Sequence, residues 1–220
     1  MVERNLPGHL SDELARLALL REDDVDTSDI PEVADFSKFR RRGRVIDSSL
    51  IERGYDIRAL ANWFVARFLS ANRPVTNLSL NKILYLAVER GMIEKNILLS
   101  PAKIEAWNYG PVFREIYHAS KQAGREPITE SFKTFDLSTR EFVAPVAAFT
   151  DEDVSFFEGI FADYGALSPT KLVDLTHEEG SPWHAVWLSG RNVNFGMEIT
   201  RSIILSRAKR SRFSSAHQEG

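Results

Sequence analysis

The residues best suited to chemistry lie between positions 174 and 184: Asp174, Thr176, His177, Glu178 and His184. Asp174 and His177 stand three apart, a spacing that puts both on one face of a helix. The turn Gly180-Ser181-Pro182 could return His184 to their side. Such residue types serve a general acid–base pair or a metal centre, so a metal-dependent hydrolase using His177 and His184 is one reading. The spacing fits no zinc signature, because His-Glu-x-x-His is absent and the chain has no cysteine. The structural alternative places His177 at a helix end, where an imidazole suits the free carbonyls. That alternative carries the expectation: no catalytic residue, no metal ligand and no cofactor is assigned.

Other chemical devices are missing. Ser, His and Asp are all present, but no Gly-x-Ser-x-Gly elbow exposes a serine. Neither Gly-x-Gly-x-x-Gly nor the Walker pattern occurs, so no loop of a known phosphate-cradling kind is written into the chain. Trp107, Tyr109, Trp183 and Trp187 could form a ligand cage or a platform for stacked bases. Beside Pro and Gly in a helical protein they are better read as core wedges.

The elements that must position these residues are mostly helices. Ile57, Leu60, Ala61, Phe64, Val65, Phe68 and Leu69 fall on one helical face. Pro74 ends that helix, and Thr76 caps a second one carrying Leu80, Ile83, Leu84, Ala87 and Val88, with Gly91 near its stop. Ala106-Trp107-Asn108-Tyr109-Gly110-Pro111 reads as a bend feeding a helix from Pro111 to Gln122. Ile128, Thr129, Phe132, Phe135, Phe142 and Val143 favour a small β-hairpin within 127–145. Thr150 before Asp151, Glu152 and Asp153 starts a helix reaching Gly165. Ser168-Pro169 and Ser181-Pro182 each cap another. Met197, Ile199, Ile203 and Ile204 continue a helical pattern. The expected fold is mainly α, a multi-helix domain with a possible small β-hairpin and a flexible N-terminal arm. Its divisions are an arm over 1–54, a helical domain over 55–205 and a polar tail over 206–220.

Charge singles out the arm. From Glu22 to Asp35 every charged residue is acidic, and Lys38, Arg40, Arg41, Arg42 and Arg44 then reverse the sign. Blocks of this kind favour extended, solvated segments able to wrap a partner. Within the arm, Asp26, Asp29 and Glu32 alternate with Ile30, Val33, Phe36 and Phe39, and Pro31 stiffens the segment. Acid can steer while apolar residues anchor, so these residues with Arg41 and Arg42 are the candidate partner-binding set. A net charge of −3 argues against nucleic acid as the main partner. A DNA-binding regulator is the alternative, with contact through Arg40–Arg44 or the C-terminal cluster of Arg201, Arg207, Lys209, Arg210 and Arg212. No apolar run is long enough to span a bilayer and no signal block opens the chain; the expected compartment is the cytoplasm and no membrane partner is expected.

Four strings, in order, carry a family resemblance. They are Asp56-Ile57-Arg58-Ala59-Leu60-Ala61-Asn62-Trp63-Phe64, Thr76-Asn77-Leu78-Ser79-Leu80-Asn81-Lys82-Ile83-Leu84-Tyr85, Glu105-Ala106-Trp107-Asn108-Tyr109-Gly110-Pro111-Val112, and Leu175-Thr176-His177 followed by Ser181-Pro182-Trp183. Together they resemble the Panacea domain, the SocA-like antitoxin domain found in phage-associated proteins. The resemblance implies a helical, non-enzymatic domain that inactivates a cognate toxin protein, encoded beside it, by binding. It makes Trp107, Tyr109, Gly110, Pro111, His177 and Trp183 motif positions that are structural or toxin-facing. The string Asp26-Thr27-Ser28-Asp29-Ile30-Pro31-Glu32 in turn resembles the tails of small bacterial antitoxins that lie along ribonuclease-type toxins, although here it precedes the domain.

Overall fold

Helix α1 (Ile57–Ser70) starts where Asp56 accepts a hydrogen bond from the Arg58 amide at 2.7 Å. It buries Ile57, Leu60, Ala61, Phe64, Val65 and Phe68, the apolar face expected from their spacing. These elements belong to a computed structural model that describes residues 50–189 and 197–207. The acidic and basic arm residues, and the polar tail from 208 onward, lie outside the described residues.

Helix α2 (Asn77–Glu94) follows a turn at Asn72, whose φ of 52° breaks α1 ahead of Pro74. Thr76 caps it through the Ser79 amide at 3.3 Å. Its buried residues run round the whole cylinder: Asn77, Ser79 and Lys82 as well as Leu80, Ile83, Leu84 and Val88. A helix buried on all sides lies at the centre of its domain, and α2 packs against helices and strands from both before and after it in the chain.

Two short strands, β1 (Ile51–Glu52) and β2 (Ile97–Leu98), pair in parallel beyond the end of α2. Among the described residues, β1 falls within the stretch that composition assigns to the arm, ahead of the apolar periodicity that begins at Ile57. Arg53 then pairs with buried Asp153 at 2.8 Å, and the Tyr55 hydroxyl donates to the same carboxylate at 2.5 Å.

The segment expected to bend at 106–111 is instead a β-hairpin. β3 (Ile104–Trp107) and β4 (Gly110–Phe113) pair antiparallel around Asn108-Tyr109, with Trp107 opposite Gly110. The helix expected from Pro111 therefore begins only at α3 (Arg114–Ala119), and a 3-10 turn over Lys121–Ala123 follows. The strand has no alternating pattern to betray it, since Ile104, Glu105 and Ala106 are all buried. Met197 and Ile199, read as helical, likewise open with β7 (Met197–Glu198) on the free edge of β3. A further helix, α7 over 201–207, comes after it. Between them stand β5 (Thr134–Asp136) and β6 (Glu141–Val143), the small hairpin that the sequence suggests.

The remaining helices form as their caps predict. Thr150 starts α4 (Asp151–Tyr164), Ser168 with Pro169 starts α5 (Pro169–His177), and Ser181 with Pro182 starts α6 (Pro182–Ser189). Phe157 and Phe161 of α4 meet Trp63, Phe64 and Phe68 of α1 edge-on or tilted, making the aromatic half of the core. The fold is mainly α with small sheets, as expected.

Candidate functional site

The buried hairpin is held by a polar clamp built on α2. Lys82 is 0 % exposed, and its ammonium donates to the Pro111 carbonyl at 2.8 Å. The residue before it, Asn81, accepts from the Phe113 amide at 3.0 Å and donates to Asn77 Oδ1, one turn back, at 2.8 Å. Asn77 donates in turn to the Tyr117 carbonyl at 3.2 Å. Three polar residues on one helical face thus tie down β4 and the helix after it. Burial pulls the Lys82 ammonium down to about 7, because charge is costly away from water.

Gly110 is what lets the hairpin come so close. Its φ is +99°, and a Cβ there would stand 2.8 Å from Thr176 Oγ1 and 2.9 Å from both Cε and Nζ of Lys82. No side chain fits between α2 and α5, and the backbone angle suits glycine alone. Thr176, at that contact, donates to the Val173 carbonyl, while its own carbonyl accepts from Ser181 Oγ. The close of α5 and the start of α6 are therefore wired into the same clamp.

The far side is aromatic. His177 lies flat on Trp183, with ring centroids 3.6 Å apart and planes 2° from parallel. Trp183 donates its indole N–H to the Trp107 carbonyl at 2.8 Å and stacks on Trp187. Trp107 donates to Glu105 Oε2 at 3.0 Å and meets Tyr117 edge-on. His177 closes α5 as expected, but it does not turn to the helix carbonyls: stacking on Trp183 takes the ring instead. Its Nε2 is buried without a hydrogen-bond partner among the described residues. Burial first, and then the Lys82 charge, push its pKa below the ordinary value, against a smaller pull from Asp174.

The two histidines are committed to different partners. His184 Nδ1 accepts from the Gly180 amide at 3.3 Å, while the His177 ring is committed to Trp183. Among the described residues, no three His, Cys, Asp or Glu side chains gather as metal ligands would. A lysine with a lowered pKa can be a nucleophile or base, but Lys82 is sealed from solvent and spent on a backbone carbonyl. The clamp's chemistry is mechanical: it fixes the hairpin so that Asn108 and Tyr109 project from a rigid base. Tyr109 is 70 % exposed.

The comparisons follow the same residues. The family model described as "Antitoxin SocA-like, Panacea domain" matches residues 80–184, from Leu80 on α2 to His184 on α6. Antitoxin SocA of Caulobacter vibrioides (strain NA1000 / CB15N) is 30 % identical over 155 residues, covering 69 % of this chain and 81 % of that protein. The chain belongs to the SocA-like Panacea family. No solved structure matches it.

Seen as a Panacea domain, the motif residues divide in two. Gly110, Pro111 and Trp183 are buried parts of the clamp, and Trp107 and His177 are partly buried on its aromatic side. Tyr109 alone of the six motif positions faces out. The arm residues Asp26, Asp29, Ile30, Pro31, Glu32, Val33, Phe36, Phe39, Arg41 and Arg42 lie outside the described residues. Lys82, Asn77 and Asn81 are working members of the clamp that sequence reasoning did not single out. Their signal was available: polar residues set in a helix that is apolar nearly all round must be buried, and buried polar groups need partners. Among the described residues, no helix is long and apolar enough to cross a membrane.

Proposed function

We propose that this chain is the antitoxin of a toxin–antitoxin pair, and that it neutralises a cognate protein toxin, encoded by the adjacent gene, by direct binding. The observation that carries the reading is the likeness to Antitoxin SocA over most of both chains, with a family match that takes in the β3–β4 hairpin and Lys82. The geometry supports it in one further respect. Its most elaborate polar network is spent on holding a turn rigid and not on presenting a reactive group, and a rigid display suits recognition. The function is binding and not catalysis.

Within this reading the domain presents the clamped turn, and the arm from Asp26 to Arg44 adds steering and anchoring. Acidic Asp26, Asp29 and Glu32 raise the association rate, and Ile30, Phe36 and Phe39 slow dissociation.

The test is growth of cells expressing the product of the neighbouring reading frame, with and without this chain, alongside binding kinetics of the purified pair. Rescue with direct association is expected. Asp26→Lys, Asp29→Lys and Glu32→Lys together should slow association. Replacing Ile30, Phe36 and Phe39 by Ala should speed dissociation by a factor equivalent to about 1–2 kcal/mol. His177→Ala should remove no chemical activity. Failure of the parent chain to bind or rescue overturns the proposal, as does turnover of any substrate that depends on His177.

A further inference from the structure

Beside the clamp a cavity of about 350 Å³ opens between α2 and the 108–124 segment. That is near the lower end of the range of roughly 300–1,000 Å³ for small-molecule sites, room for one large side chain more than for a cofactor. Its walls are apolar and aromatic: Leu78, Val112, Trp107, Tyr109 and Tyr117. Asn77, Asn81 and Lys82 also line it, but their polar groups are already spent on each other, on the Tyr117 and Pro111 carbonyls and on the Phe113 amide. The interior therefore offers an apolar guest little that is polar to strip of its partners.

The uncommitted polar groups sit at the mouth. Neither the Tyr109 hydroxyl nor the Asn108 amide has a hydrogen-bond partner among the described residues, and both residues are exposed. Gly124 forms part of the lining, and close to it in sequence Lys121 and Arg125 are exposed and make no ion pair among the described residues. Glu126 is the one acid beside them, so the segment that carries Gly124 is net positive. An apolar socket with polar groups at its mouth is the pattern of an interface hot spot, and the cationic segment next to it suits an acidic partner.

We propose that this cavity is the socket in which the domain seats its toxin, taking one aromatic side chain of the toxin that is flanked by carboxylates. The proposal rests on the antitoxin reading above and gives it a place. The aromatic guest meets Trp107 and Tyr117 at their edges or faces, and the flanking acids meet Lys121 and Arg125. The Tyr109 ring closes over the guest from the exposed turn. The clamp then has a purpose at the interface: Lys82 and Gly110 hold the turn that forms one wall.

The test uses the full chain and defined peptides. In ¹⁵N-labelled protein, acetyl-Glu-Trp-Glu-amide should saturably shift the Trp107 indole N–H and the Gly124 amide. Acetyl-Glu-Ala-Glu-amide should shift neither. Acetyl-Lys-Trp-Lys-amide should bind about fivefold more weakly, as should the first peptide with the double variant Lys121→Glu, Arg125→Glu. Leu78→Trp, which fills the socket from the helix, and Tyr109→Ala, which removes a wall, should both abolish the shifts while leaving the melting temperature near that of the parent. In cells the Leu78→Trp chain should lose rescue.

Equal shifts with the alanine peptide, or none with the tryptophan peptide, overturn the socket. Tighter binding of free indole-3-acetate than of the peptide reassigns it to a small aromatic acid and also overturns the proposal. A folded Leu78→Trp chain that rescues like the parent removes the socket and leaves the antitoxin reading standing. A parent chain that binds peptide and fails to rescue overturns the antitoxin reading, and with it the toxin as occupant.

Discussion

The domain contains two antiparallel hairpins that differ in almost everything but their hydrogen-bond pattern. β3–β4 is buried, joined by β7 along one edge, and gripped by Lys82, Asn81 and Trp183. β5–β6 is a two-stranded sheet on its own, whose facing Phe135 and Phe142 are 47 % and 68 % exposed. An isolated two-stranded hairpin is marginal in water. The second one persists on local devices: an edge-on Phe135–Phe142 pair, Asp136 accepting from the Ser138 amide, and Arg140 at a φ of 57°. A hairpin made of local contacts is written in local residues. One made by tertiary contacts is written elsewhere in the chain, on the helix that grips it.

The sharpest way to break this comparison is at Gly110. Gly110→Ala forces a Cβ against Lys82 and Thr176 at a positive φ, and should cost about 3 kcal/mol or more, or prevent folding. Gly180→Ala has a similar φ of +83° with nothing within 4 Å, and should cost about 1 kcal/mol. Thermal denaturation of the two variants separates crowding from backbone strain. Equal losses would mean that the close approach at Gly110 carries no weight.

Next in size is Trp183→Phe. It keeps a ring on His177 but leaves the Trp107 carbonyl without its indole donor, which should cost about 1–2 kcal/mol in chemical denaturation. An unchanged midpoint would remove α6 from the clamp.

The pH dependence of stability tests the buried charges. Lys82 stays protonated to about 10.4 in the unfolded chain but only to about 7 in the fold. Between those values the unfolded chain binds more protons, so stability should rise with pH by up to about 1.4 kcal/mol per unit. Glu89, two turns along α2, is pushed up to about 7, by burial and by the charge of Glu178, against a lowering hydrogen bond from Tyr85. From about 4.3 to about 7 the fold binds the extra proton, so this group makes stability fall as pH rises. That limb should be shallower, because Glu89 is only partly buried. Lys82→Met should flatten the alkaline limb and Glu89→Gln the acid one. Limbs unchanged in both variants would show that neither group is held in the ionisation state that its burial demands.

The smallest effect belongs to the exposed hairpin. Phe135→Ser with Phe142→Ser should lower stability by less than about 1 kcal/mol, since little surface beyond the pair itself is lost. A large loss would place the second hairpin among the tertiary elements.

The sequence by itself determined helices α1, α2, α4, α5 and α6 with their caps, and the family. Thr76, Thr150 and Ser168 each accept from an amide of the first helical turn, because capping and apolar periodicity act within a few residues. It also held β5–β6, whose β-favouring residues, with Asp136 at the turn, speak locally. Only the tertiary structure decided β3–β4. Ile104 to Ala106 and Gly110 to Phe113 are buried on both faces, so the strands lack alternation, and Gly110-Pro111 reads locally as the start of a helix. It becomes a strand because the Pro111 carbonyl and Phe113 amide find partners on Lys82 and Asn81, 29 and 32 residues away. The candidate site divides in the same way. Trp107, Gly110, His177 and Trp183 were legible as a motif. That they converge on one buried lysine, and leave Tyr109 facing out beside a cavity, was settled by contacts between residues too far apart in the chain for any local pattern to join.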